Sequence, residues 1–171
     1  GHRVGAKPER VEEGRVVLEG GDEEPFDLLV AVPPHRPPDV VASSGLTAEH
    51  GWVGVDAGTL AARFDGVYAV GDVTLIPLPN GLPFPKAGLM AERQGIRAGR
   101  AIAAEVRGEA PPPPFDGTGS CPIELGGGEA ALVEGDWYAA PEPVVSIAGP
   151  TQDPTAKLDF ERERLARWFG G

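Results

Sequence analysis

Two residues stand where chemistry could be done: Asp72, which closes the run "VYAVGD", and Lys86, in "PFPKAG" further on. An apolar strand that ends in Gly-Asp presents a carboxylate at its carboxyl end, where ligands sit in open α/β sheets. Gly71 lets a ligand approach the backbone closely, and Asp72 can accept hydrogen bonds from sugar hydroxyls. The plainer use of Asp72 is to cap the turn that follows. Lys86 falls at the predicted start of a long helix, where a cation opposes the helix macrodipole. A partner is therefore expected there, and a lysine beside a helix N-terminus suits an anionic ligand atom. The alternative is an exposed lysine reaching to water. Cys121 is the sole thiol, so an internal disulfide, a CxxC redox pair and a thiolate zinc site are all excluded. By itself it reads as a small strand residue. His35, inside "PPHRPP", reads as a surface-loop histidine. His2 and His50 have no acidic or thiol neighbours at metal-ligand spacing. No serine sits in a nucleophile elbow.

The elements that must position these residues follow from the pattern. "RVVLEGGDEEPFDLLVAVPP" predicts a hairpin arm over Val16–Glu19, a turn at Gly20–Asp22 and a buried strand over Phe26–Val32. A glycine-capped helical segment is expected around Val40–Gly45, and a short strand over Gly51–Asp56. Thr59–Gly66 then leads into Val67–Asp72, an apolar strand of the buried parallel type. Ala87–Glu109 is the clearest helix, with Leu89, Ile96, Ile102 and Val106 expected to form its apolar face. Pro111–Pro114 ends it as a stiff spacer. Beyond lie short antiparallel strands, Cys121–Leu125, Glu129–Glu134 and Val144–Ile147, the first two joined by the turn Gly126–Gly128. Thr155–Phe169 closes the chain as a helix whose Leu158, Leu165 and Phe169 share one stripe, with Trp168 beside it.

Composition narrows the function further. A formal net charge of −11 leaves no basic stripe for nucleic acid phosphates. No apolar run approaches the roughly 18 residues that span a bilayer. The first residue is glycine and no signal peptide is visible, so localisation cannot be read from this end.

Taken together, "FDGVYAVGD" and "PLPNGLPFPKAGLMAERQG" resemble the second flavin-binding motif of the two-dinucleotide-binding flavoproteins, a pyridine nucleotide-disulfide oxidoreductase-like group. The resemblance is greatest to the branch containing sulfide:quinone oxidoreductases and the flavoprotein of flavocytochrome c sulfide dehydrogenase. It implies a partial α/β fold: residues 1–50 as the end of an NAD(P)-binding-like domain, 51–110 as the returning part of an FAD-binding domain, and 115–171 as a small antiparallel domain with a terminal helix. It also implies site roles. Asp72, with Gly71 and the Val73 backbone, would bind the ribityl chain of FAD; Lys86 would face the pyrimidine edge of the flavin. Cys121 falls where sulfide-oxidising members carry a redox cysteine, although its usual partner cysteine is not in this sequence. Electrons would pass from sulfide or NAD(P)H through FAD to quinone or another acceptor.

The glycine-rich fingerprint G-x-G-x-x-G that holds the FAD pyrophosphate does not occur in this sequence. Gly126–Gly128 has the wrong spacing. The expectation is therefore the C-terminal part of a longer flavoprotein, inactive alone, with FAD bound weakly or not at all. A missing N-terminal half or a complementing subunit would supply the rest. A homodimer, a docking module and peripheral membrane contact through the terminal helix are the remaining partner expectations. Cytoplasmic or peripheral-membrane placement goes with them.

Overall fold

The computed structural model describes residues 2–48, 51–151 and 155–170. The chain divides into two units, Gly1–Arg36 and Pro37–Gly171. The first is a three-stranded antiparallel meander, β1 (Pro8–Glu12), β2 (Arg15–Leu18) and β3 (Glu23–Pro25). Val17 and Leu18 are its buried residues. Its rim carries exposed ion pairs such as Arg10–Glu12 at 2.8 Å, a class that contributes little to stability. The strand expected over Phe26–Val32 does not form: β3 stops at Pro25, and Val30 and Val32 are exposed. A continuous apolar run holds as a strand only when both its faces are covered. Among the described residues Phe26 is half-buried, and residues 28–32 stay exposed.

The second unit carries the candidate site. A single helical turn, α1 (Asp39–Ala42), precedes β4 (Val53–Gly54), which pairs in parallel with β5 (Thr74–Leu75). The expected Val67–Asp72 strand is also absent. Val67–Val70 makes only the isolated bridge Tyr68–Ala61, and Gly71–Val73 is a 3-10 turn. Val70 still has extended dihedrals. The backbone conformation suits a strand, but among the described residues no strand lies alongside to complete a ladder.

α2 (Gly88–Arg107) is the long helix. It is rich in alanine and contains no proline. It ends at Gly108, whose left-handed backbone completes a Schellman arrangement: Glu109 N–H donates to the Ala104 carbonyl at 2.8 Å and Gly108 N–H to that of Glu105 at 3.1 Å. The buried line is Met90, Gln94, Ala98, Ala101 and Ala104, whereas Ile102 and Val106 are exposed. Of the expected apolar face, Leu89 and Ile96 are half-buried, and Ile102 and Val106 do not belong to it. Beside the buried line, Gly71 packs so closely on Ala91 that a Cβ added at Gly71 would lie 3.0 Å from that of Ala91.

β6 (Thr118–Gly126), β7 (Glu129–Asp136) and β8 (Val144–Thr151) form an antiparallel meander in that order, with the expected glycine turn between the first two. Leu60, Ile76, Leu78, Phe84, Met90 and Phe115 form the core, with Trp137 and Tyr138 packed against it. Phe115 and Tyr138 meet edge to face at 5.9 Å, and the Tyr138 hydroxyl donates to the Ala57 carbonyl at 2.9 Å. α3 (Thr155–Phe169) is tied to α2 through Glu92, which accepts from Arg164 at 2.9 Å and Arg167 at 2.7 Å. Leu165, Trp168 and Phe169 of its apolar stripe stay exposed. No helix among the described residues is long and apolar enough to cross a membrane.

Candidate functional site

The Gly-Asp segment becomes a turn pinned at three points. Gly71 has φ of 73°, in the left-handed region that favours glycine, and a Cβ added there would lie 3.0 Å from that of Ala91. Its N–H donates to Gln94 Oε1 at 2.6 Å, and its carbonyl accepts the Thr74 hydroxyl at 2.8 Å. Gln94 and Thr74 are both buried, so each anchoring side chain finds its hydrogen bond inside the fold. The third pin is Lys86, whose Nζ donates to the carbonyls of Asp72 and Thr74, the latter at 2.9 Å.

Lys86 also lies over the Trp52 ring, 3.8 Å from its centroid. The partner expected for a cation near a helix start is therefore present, in the form of two carbonyls and an aromatic face. Burial lowers the Lys86 pKa from the ordinary lysine value, and the negative charge of Asp72 opposes that shift. α2 begins right after Ala87 with no side-chain cap and no acidic residue in its first turn. The free N–H groups of that turn, together with Lys86, leave a locally positive end. Asp72 is exposed, and Val73 is half-buried.

Gly71, Asp72, Val73 and Lys86 are thus brought together. Cys121 is not joined to them by any hydrogen bond. It sits on β6 opposite Val133, half-buried and free, with its thiol 3.6 Å from the Pro122 carbonyl oxygen. His35 is exposed, and His50 lies outside the described residues. No cluster of metal ligands forms among the described residues. Sequence reasoning missed Gln94. Its signal was a polar residue four positions after Met90 and four before Ala98, on what proves to be the buried line.

No family model matches the sequence. Over 118 residues the chain is 31% identical to the mitochondrial sulfide:quinone oxidoreductase of Mus musculus, covering 68% of this chain and 25% of that protein. Against the mitochondrial sulfide:quinone oxidoreductase of Schizosaccharomyces pombe, identity is 34% over 113 residues, covering 66% of this chain and 23% of that one. The chain is a distant homologue of part of sulfide:quinone oxidoreductase. It spans about a quarter of the length of these relatives. In fold it also matches a chain in the cryo-EM structure of Tetrahymena thermophila mitochondrial ATP synthase. The TM-score is 0.60 over 90% of this chain and 36% of that one, at 16% identity, a likeness of fold alone. The likeness to sulfide:quinone oxidoreductase is the one that bears on chemistry.

Proposed function

We propose that this chain forms the flavin-facing segment of an FAD-dependent oxidoreductase of the sulfide:quinone oxidoreductase type. The single observation that carries the reading is the pinned turn Gly71–Val73 beside Lys86 and an uncapped helix start, in a chain with that homology. The residues present fit one side of the cofactor. Asp72 is exposed to accept hydrogen bonds from ribityl hydroxyls, with the Gly71 and Val73 backbone beside it. Lys86 and the first turn of α2 offer positive potential to an anionic ring edge. Bound FAD would supply two-electron transfer between a donor, sulfide or NAD(P)H, and an acceptor such as quinone. The protein's part is to hold the ring edge, stabilise negative charge on it and exclude water there. The truncated FAD/NAD(P)-binding fold belongs to the same proposal, with the phosphate-binding half supplied by other residues or another chain.

The test is an absorbance spectrum after FAD addition and desalting, first with this chain alone and then with a polypeptide carrying a glycine-rich phosphate loop. The chain alone is expected to stay colourless, and the pair to retain flavin. Asp72→Ala should then weaken retention about tenfold or more, the usual scale for a lost hydrogen bond to a charged group. Retention that neither Asp72→Ala nor Lys86→Ala alters would sink the assignment. The exposed stripe of Leu165, Trp168 and Phe169 favours a second reading, a docking or dimerisation module. A concentration-dependent mass with no flavin uptake in either mixture would select it.

A further inference from the structure

About 14 Å along α2 from its start, at 1.5 Å per residue, the helix borders a groove of about 350 Å³ that the flavin reading does not use. One wall is Arg93, Arg97 and Arg100, at the i, i+4 and i+7 positions of one helix face; the other is Pro112–Pro114. A chain with a formal charge of −11 thus gathers three guanidinium groups in one cleft, against the single lining carboxylate of Asp116. Asp116 pairs with Arg93 at 2.9 Å and so neutralises one of the three.

The other two are under-used. Arg97 donates through Nη1 to the Thr59 carbonyl at 2.8 Å, while its Nε is buried without an acceptor. Asp56 also interacts with Arg97 electrostatically, but its carboxylate already accepts from Gly58 N–H, Thr59 N–H and the Thr59 hydroxyl. Nη2 of Arg97 has no acceptor among the described residues, and a guanidinium N–H is a strong donor to oxyanions. Arg100 is exposed and has no partner among the described residues. The proline wall has no N–H to offer and presents only apolar surface and carbonyls.

We propose that this groove binds a phosphate-type oxyanion, preferentially one carrying an apolar body, as in an aromatic phosphomonoester. The phosphoryl oxygens lie against Arg97 and Arg100, and the apolar body lies along Pro112–Pro114. The groove volume is in the range of small-ligand sites.

The experiment titrates the chain with inorganic phosphate and, separately, with phenyl phosphate by calorimetry, with ionic strength held constant by sodium chloride. Saturable heat is expected from both, with phenyl phosphate binding about tenfold tighter through its apolar contact. Arg100→Gln, at an exposed and unpartnered position, should weaken both probes about tenfold without moving the unfolding midpoint of the free protein. Arg97→Lys should weaken them further, because a lysine keeps the charge and loses the fork. Arg162→Gln, on α3, should change nothing. No saturable heat from either probe overturns the proposal, as does binding that Arg100→Gln leaves unchanged. Phosphate binding with phenyl phosphate excluded refutes the role of the proline wall.

Discussion

Replacing Gln94 by leucine tests whether the Gly71 turn is held from inside the helix. Leucine has nearly the same volume, so the substitution opens no large cavity. What it removes is the acceptor that takes the Gly71 N–H at 2.6 Å from a side chain only 2% exposed. An unpaired N–H in such a place costs about 1–3 kcal/mol. With a urea slope of about 2 kcal/mol/M, that is a fall of about 0.5–1.5 M in the unfolding midpoint. Gly71→Ala attacks the same contact from the other side. It places a Cβ at a left-handed residue, costing about 1–2 kcal/mol, and sets it 3.0 Å from the Ala91 Cβ. Because each change loosens the same bond, the double variant should lose less than the sum of the singles, by at least about 0.5 kcal/mol. The assay is urea unfolding followed by tryptophan fluorescence, since Trp52 sits against Lys86 at the turn. A Gln94→Leu midpoint unchanged within error, or strict additivity in the double variant, would refute the reasoning.

Burial pushes the Tyr138 phenol up to about 12 from 10.0, so the folded chain keeps a proton that the unfolded chain releases. The resulting stability is fully present below pH 10 and is lost as pH rises toward 12; Tyr138→Phe should flatten that alkaline decline in the unfolding midpoint. It should also cost about 1 kcal/mol at neutral pH through the lost bond to Ala57. Glu92→Ala removes the shared partner of Arg164 and Arg167, and the Arg164 Nε is already without an acceptor. Amides of α3 should then exchange about tenfold faster while those of β6 and β7 keep their rates, read by hydrogen exchange. Uniform acceleration through the sheet would show that α3 is not a separable unit.

What the sequence revealed depended on how local the physics was. α2 was legible because a run of good helix formers lies between Pro85 and Gly108. The β6–β7 hairpin was legible because Gly126–Gly128 marks its turn. The need for a partner at Lys86 followed from the helix dipole alone. The partners' identity did not, because the carbonyls of Asp72 and Thr74 and the Trp52 ring reach it from segments well away in sequence. The inner face of α2 misled for a similar reason. Branched residues look like core, yet the buried line is Met90, the glutamine that the turn requires and three alanines, with Gly71 packed close against Ala91 beside it. The Val67–Asp72 run failed as a strand because strand formation needs a neighbour, and apolar character cannot supply one.

The two kinds of pairing in the second unit differ in how much chain each must close. Gly126 meets Glu129 across a tight turn, and every later rung of β6–β7 extends from there. Val53 meets Thr74 only after all of Val55–Val73 has been drawn into a loop, and it gains just two rungs by doing so. Closure entropy grows with the length of the loop, and few contacts reward this one. In a folding chain the hairpin can therefore form early and by itself, while the parallel pair must wait for α2 and its glutamine to gather the intervening residues. The Gly71–Lys86 region, which the proposed function needs most, is on this account slower to find its shape than the β6–β7 hairpin.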